Sequence, residues 1–599
     1  MVPISRKRMT QTLRMLKKIW TKIKRLPEPT LLLALSLVIG LLSGLAAVLL
    51  KVSIAFIKDL LTTHVSIQAE SLTYFLLPGA GMLLSLLLVR YLVKDNISHG
   101  VTRVLESISG NRSLIRPHNT YTSILTSAVT IGFGGSVGAE APIVYTGAAI
   151  GSNVGRKLGL NYRSVTLLVC CGAAAAIAGI FKAPLAGVLF CFEILLFNLT
   201  MGSIIPLLTA SITATAVSSM IMGGGVSFVS SIDPFVLTNI PYYLILGVVC
   251  GFVSLFFTRT TLMMEGRIKR INNVYTRWAV SAVTLGALIL LFPPLYGEGY
   301  GSLTALLNNN VEGAVDSLIY GTMSNNVWFI PVFFTAVLLL KVFAMSFTNA
   351  GGGVGGTFGP TLFMGGVLGF VISRIFNITG LSVLPESNFA LVGMAGLMAG
   401  VMQAPMTAIF LIAEITGGYE LLMPLIITSV CSYVTVRNFE PYSIYTKRLA
   451  QQGKLLTHDS DQAVLTLLKT SEVIERDFLT VTPQDTLEQL AEAVEASKRN
   501  IFPVTDTDGC LQGIVTLDDI REIMFRRELY ESVFVYELMH RPLDYVFVDE
   551  RMESVMRKFE RSGAWNLPVL DARFHYLGFV SKSRIFSAYR EQMSQVSHE

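Results

Sequence analysis

The chain has 599 residues, of which 52% are hydrophobic and 15% charged, against about 25% charged in an average soluble domain. That balance excludes an ordinary soluble protein and makes membrane lipid a principal solvent. The net charge of +6 is concentrated at the start and near membrane ends, where anionic headgroups are the simplest partner, so it gives no ground for nucleic-acid binding.

Residues 1–29 read as a basic cytoplasmic segment, because Arg6, Lys7, Arg8, Arg14, Lys17, Lys18, Lys22, Lys24 and Arg25 all precede the first acid, Glu28. The uncharged run 31–50 exceeds a signal-peptide core and is long enough to span a bilayer. Apolar stretches then succeed one another over 30–450. Some have spanning length (31–50, 72–93, 327–347), whereas 141–155, 183–197 and 360–373 are short and begin at Gly/Pro turns. A helix opening at such a turn starts inside the membrane, and non-helical backbone there is tolerated only where it is buried in protein or lines a polar cavity. Residues 138–142 (Gly-Ala-Glu-Ala-Pro) and 356–360 (Gly-Thr-Phe-Gly-Pro) share the form GxxxP, one in each half. Paired interruptions of this kind mark inverted-repeat transport folds. The expected architecture is therefore a polytopic α-helical membrane domain with inverted repeats and broken helices.

An acidic side chain at lipid depth costs at least about 2.5 kcal/mol, so Glu140, Glu193 and Glu414 each need a reason. Glu140 sits among glycines that let backbone amides approach a ligand, and Pro142 fits the first turn of the next helix. The helix N-terminus makes an anion site, and a carboxylate tethered beside it is a competing anion. Protonation would vacate the site, making Glu140 both a gate and a proton carrier; the alternative is a helix-capping acid. For Glu193 and Glu414, hydrogen bonding to nearby helices is the simpler reading. Cys170, Cys171, Cys191, Cys250 and Cys431 lie in apolar segments and Cys510 has no spaced partner, so neither a disulfide framework nor a metal site is expected.

After Lys447 charged residues recur every few positions. Residues 451–470 read as a linker, and 471–529 and 530–599 as two similar α/β units. Strands are expected at 478–481 and 501–504, with helices near 486–498 and 552–562.

With these motifs in order, the chain resembles a CLC chloride channel or transporter of bacterial type fused to a CBS-domain pair, from about residue 30 to the end. The family's GREGP or GKEGP motif is similar to 138–142, and its GxFxP motif matches 356–360 throughout; 181–190 and 400–405 are also family-like. The resemblance implies chloride transport, as a channel or as a chloride/proton antiporter, by a homodimer with one pathway per subunit in the cell (inner) membrane, the CBS domains cytoplasmic. It implies a central anion held by the amides of Thr357 and Phe358 after Gly356, and by the hydroxyl of Tyr445 or, if the register slips, Tyr442. The outer site would use amides around Gly138, Ala139, Glu140 and Ala141.

Three departures stand out. The family's GSGxP stretch corresponds to Ser98, His99, Gly100, Val101 and Thr102, which puts His99 where a serine hydroxyl would meet the ion; a ring satisfied by a backbone carbonyl is the alternative. Ile194 stands where proton-coupled members often carry a glutamate, and isoleucine cannot relay a proton, leaving water or Glu193 as substitutes. Ala139 replaces the motif arginine, removing a fixed positive charge. In the tail the resemblance implies an adenine nucleotide bound through Thr516 and Asp519, whereas the second unit has Ser581 but Arg584 in place of the acid; a dimerising scaffold that binds nothing is the alternative. A CBS-bearing divalent-cation transporter would need clustered oxygen ligands and an intramembrane hydrolase a paired nucleophile and base. The scattered acids here fit neither.

Overall fold

The computed structural model describes residues 27–62, 70–95, 97, 99–110, 113–197, 200–223, 232–308, 310, 326–451, 470–550 and 552–588. Ser98, nearly all of the basic leader and most of the expected linker lie outside the described residues. The chain divides into two compact units, Met1–Leu455 and Leu456–Glu599.

In the first unit α1 (Glu28–Thr62) has 35 residues. At 1.5 Å per residue it measures about 52 Å, more than the hydrocarbon core of about 30 Å. After α2 (Glu70–Leu87), which runs on into a π-helical turn, come α3 (Gly100–Gly110), α4 (Thr122–Gly132), α5 (Glu140–Leu158), α6 (Tyr162–Phe181), α7 (Pro184–Glu193) and α8 (Met201–Met222). The second half carries α9 (Ile240–Lys269), α10 (Val274–Leu291), α11 (Tyr300–Leu307), α12 (Phe329–Ala350), α13 (Phe358–Thr379), α14 (Glu386–Met402), α15 (Pro405–Thr416), α16 (Leu422–Arg437) and α17 (Ile444–Gln451). Among the described residues 8 helices are long and apolar enough to cross a membrane. The helices expected over 141–155 and 360–373 run on to Leu158 and Thr379, where Gly159 and Gly380, both at φ 70°, end them in the left-handed conformation. The one expected over 183–197 stops at Glu193, and Leu196 turns the chain with φ 56°.

The two halves repeat each other bond for bond around the interrupted segments. Gly135 N donates to Thr130 O and Gly353 N to Thr348 O, each at 2.9 Å. Each threonine hydroxyl then accepts from the opposite half, Thr348 Oγ1 from Ser136 N at 3.2 Å and Thr130 Oγ1 from Val354 N at 3.1 Å. Gly138 and Gly356 pair antiparallel, with Gly138 N donating to Gly356 O at 3.0 Å and the return bond at 2.7 Å. Behind these turns, α5 closes on α6 as α13 closes on α14: a Cβ added at Gly151 would lie 1.9 Å from Leu168 O, and one at Gly369 1.9 Å from Phe389 O. Glycine permits that backbone contact, which is how membrane helices pack without a hydrophobic drive between them.

The second unit holds two similar pieces. In the first, α18 (Leu487–Ala496) opens on a Thr486/Gln489 capping box and precedes β1 (Ile501–Thr505) and β2 (Leu511–Thr516), an antiparallel pair. In the other, β3 (Val546–Phe547) runs parallel to β4 (Asn566–Leu570), which is antiparallel to β5 (Tyr576–Ser581), with α19 (Met552–Ser562) between β3 and β4. Both antiparallel pairs slip register near their turn, after Val504 and Val569. The strand expected at 478–481 is not formed; only Val481 bridges, to Val504. Phe478 instead packs on Phe579 at 4.7 Å under the Arg499 guanidinium, which also grips Glu475 and Asp477.

Candidate functional site

Three helices of the first unit begin at one place. The Gly138–Gly356 pairing sets the starts of α5 and α13 side by side. Gly100, first residue of α3, abuts α5 so closely that a Cβ there would lie 2.3 Å from Ala141 O. Helix N-termini carry unpaired N–H groups and a partial positive charge, so their convergence makes a pole for an anion. Gly356 lies against Ala141 as well, a Cβ there falling 3.0 Å from its amide nitrogen. The fourth contributor is α17, whose Tyr445 hydroxyl accepts from Thr357 Oγ1 at 3.3 Å. Gly100, Gly138, Ala139, Glu140, Ala141, Gly356, Thr357, Phe358 and Tyr445 are thus brought together; Tyr442 is exposed. Ser98 lies outside the described residues.

Glu140 is 2% exposed and reaches from α5 to the other half. Its Oε2 accepts the Gly359 amide of α13 at 3.2 Å and its Oε1 the Tyr300 hydroxyl at 2.7 Å. A Cβ at Gly138 would lie 2.8 Å from the Gly359 backbone nitrogen and 2.1 Å from that carboxylate, so the close approach of the two segments favours glycine here. The carboxylate therefore occupies a helix N-terminus belonging to a chain segment more than two hundred residues away.

The residues beside this centre that the motifs do not reveal come from the turn between α10 and α11, from α12 and from α1. Glu298 Oε1 accepts the Ala139 amide at 3.0 Å. Lys341, fully buried on α12, donates to Gly297 O at 2.9 Å and approaches Leu295 O at 3.4 Å. Lys51 of α1 lies within electrostatic reach of both Glu298 and Glu140. Two signals were legible: an acid between two glycines in Tyr296-Gly-Glu-Gly-Tyr300, and a lone cation in a 22-residue apolar helix. What they face was not.

His99 is turned away from the role expected of it. Its Nε2 lies 3.3 Å from Glu265 Oε2, and the other Glu265 oxygen accepts from Arg448 Nη2 at 2.9 Å. The partner is thus a carboxylate on α9, where a backbone carbonyl had been the alternative to an ion. Glu193 and Glu414 hydrogen-bond to neighbouring helices, reciprocally. Glu193, ending α7, accepts the Met406 and Thr407 amides at the start of α15 at 3.0 and 2.7 Å, and Glu414, near the end of α15, accepts Leu185 and Ala186 at the start of α7, both at 3.0 Å. With both oxygens so engaged, Glu193 is poorly placed to stand in for the acid absent at the buried Ile194.

In the second unit Asp519 accepts both the amide and the hydroxyl of Thr516, at 2.7 and 2.6 Å, and faces His540 Nε2 at 3.3 Å. Partial burial pushes the Asp519 carboxyl up, but these bonds outweigh it and hold the group below the usual aspartate range. Ser581 donates to Glu475. Among the described residues no group of three or more His, Cys, Asp or Glu is placed to hold a metal ion.

The family model for voltage gated chloride channels matches residues 80–437, and that for CBS domains matches 471–526 and 535–591. The chain is 25% identical to the chloride channel protein CLC-e of Arabidopsis thaliana over 84% of this chain and 77% of that one. It is 26% identical to the H(+)/Cl(-) exchange transporter ClcA of Vibrio cholerae over 70% and 89%. In fold it is similar to a slow cyanobacterial Cl-/H+ antiporter, with a TM-score of 0.61 at 22% identity, covering 71% of this chain and 98% of that one.

Proposed function

Because this chain belongs to the voltage gated chloride channel family and so moves chloride across the membrane, we propose that its pathway is gated by the Glu140 carboxylate. One observation carries the reading: an acid rooted on α5 accepts the Gly359 amide of α13 at 3.2 Å, taking a helix N-terminus that an anion would use. Ionised, Glu140 is the competing anion. Protonated, it loses its charge and its hold on that amide, and chloride enters. The donors left for the ion are neutral, the amides of Thr357 and Phe358 and the Tyr445 hydroxyl, with the outer amides of Glu140 and Ala141, the Ala139 amide being taken by Glu298. Neutral donors bind an ion strongly enough to admit it and weakly enough to release it. In liposomes holding a chloride gradient, Glu140→Gln should conduct independently of external pH; a variant keeping the pH dependence of the parent removes Glu140 from the gate.

A second reading, chloride/proton exchange, is favoured by the named activity of the Vibrio cholerae relative and by the burial of a titratable carboxylate, Glu140, at the anion site. Ile194 and the capped Glu193 weigh against a carboxylate relay on the inner side, which leaves water to carry the proton there. Proton uptake against its own gradient, driven by chloride, would establish exchange; chloride flux without proton movement would exclude it.

The remaining assignments follow the family resemblance: a cell (inner) membrane location with residues 1–29 and the CBS pair cytoplasmic, a homodimer with one pathway per subunit, and an adenine nucleotide at Thr516 and Asp519. Labelling of single cysteines from either side, cross-linking in the membrane, and calorimetry of the full chain with ATP test them in turn.

A further inference from the structure

We propose that Glu298 is a positioning residue for the gate, a second carboxylate whose charge sets the external pH at which Glu140 gives way to chloride. The inference rests on the reading of Glu140 as that gate.

The turn that carries Glu298 is fixed against the segment that carries Glu140. Gly297 and Gly299 flank the acid with φ of 61° and 90°, conformations that favour glycine. Gly297 N donates to Gly134 O at 3.0 Å and Ser136 Oγ to Leu295 O at 2.7 Å. The same turn then makes two contacts on consecutive residues: Glu298 accepts the Ala139 amide, and the Tyr300 hydroxyl donates to Glu140. An outer-site amide is therefore already held by a carboxylate of the protein, next to the residue that moves.

The charged groups facing Glu298 come from every side of this centre. Glu140 lies at the start of α5, Lys51 on α1 and Lys341 on α12, while Tyr300 opens α11 directly after its own turn and Lys182 acts on Lys51 electrostatically. Glu298 thus feels one neighbouring acid and two cations at longer range, with no direct ion pair between them among the described residues; Lys341 bonds the carbonyl of Gly297, next to Glu298 in the chain. An ionised Glu298 disfavours a second negative charge at Glu140 and so favours its proton; the lysines act in the opposite sense.

Glu298→Gln keeps an oxygen for the Ala139 amide and removes the charge. In reconstituted full-length protein its chloride flux should reach half-activation at an external pH about one unit more acidic. Lys51→Gln, at a half-buried position, should move it the other way. At a pH low enough to open the gate fully, the chloride KM of either variant should stay within about twofold of the parent, which separates positioning from ion binding. A Glu298→Gln profile superimposed on the parent, with Glu140→Gln pH-independent, overturns this inference and leaves the gate standing. Should Glu140→Gln itself keep the parental profile, both fall. If Glu298→Gln does not fold, an unshifted Lys51→Gln profile overturns the proposal alone.

Discussion

At and beside the Glu140 carboxylate the hydrogen bonds have separable consequences that can be measured. Tyr300 donates to Glu140 Oε1 at 2.7 Å, and a hydrogen bond to a charged group contributes about 1.5–3 kcal/mol. On the proposed gating role it favours the ionised, closed state, so Tyr300→Phe should move half-activation to a more alkaline external pH by about one unit or more. Flux recorded across external pH checks this, and an acidic shift would refute it. Tyr445 is different, because its hydroxyl meets Thr357 and not Glu140. Tyr445→Phe should leave the pH profile in place and raise the chloride concentration for half-maximal flux about fivefold, the worth of one neutral bond of about 1 kcal/mol. Glu140 was legible in the sequence because glycines and a proline punctuate its surroundings. What Tyr300 and Glu298 face was not, since their contacts join positions some 160 residues apart with no local pattern. His99 shows the complementary failure: a motif position predicts a neighbour, but Glu265 on α9 supplies a stronger one.

Elements in this fold are terminated as much by their neighbours as by their own residues. Helices α7 and α15 each open on proline after an alanine with no side-chain cap. The missing acceptor for each comes from the glutamate near the far end of the other. Removing an N-cap acceptor typically costs about 0.5–2 kcal/mol, so Glu193→Ala and Glu414→Ala should lower the thermal midpoint in detergent by similar amounts, with chloride selectivity unchanged. A loss of chloride flux in Glu193→Ala without a change in stability would instead place that carboxylate on an ion or proton route. In the soluble unit the same chemistry operates in water. Asp519 is held below the usual aspartate range, against partial burial, by its bonds to Thr516. A depressed native value contributes stability that is present above the unfolded value of about 3.9 and lost as pH falls through the native one. Asp519→Asn should therefore speed hydrogen exchange of segment 511–520 near neutrality, with an effect that shrinks as pH falls below about 3.9. An equal effect at neutral and at low pH would show that the bonds, not the charge, are at work.

At the scale of the whole chain, the repeat was visible only as two short GxxxP strings, yet it extends through threonine hydroxyls, paired glycines and close-packed helix pairs. Periodicity and punctuation made the membrane class, the broken helices and the soluble tail legible, because those follow from solvent and backbone chemistry at each position. The mutual satisfaction of the halves was not, because nothing in a single sequence says which N–H meets which oxygen across the molecule. The paired units of the tail behave alike: their recurring strand and helix order is readable, while the loss of the 478–481 strand to packing beneath Arg499 is a tertiary outcome.

The reciprocal bonds between Gly138 and Gly356 have a mechanical meaning. They tie the two halves beside the Glu140 carboxylate, where a rocking motion of one half against the other would have to break them along with the threonine bonds alongside. The joint leaves rotation of side chains, Glu140 above all, as the motion that costs least. A protein that works in this way does little elastic work on its surroundings. Its turnover should accordingly show a small activation enthalpy and change little between bilayers of short-chain and long-chain lipid, and a steep dependence on bilayer thickness would mean that the joint opens.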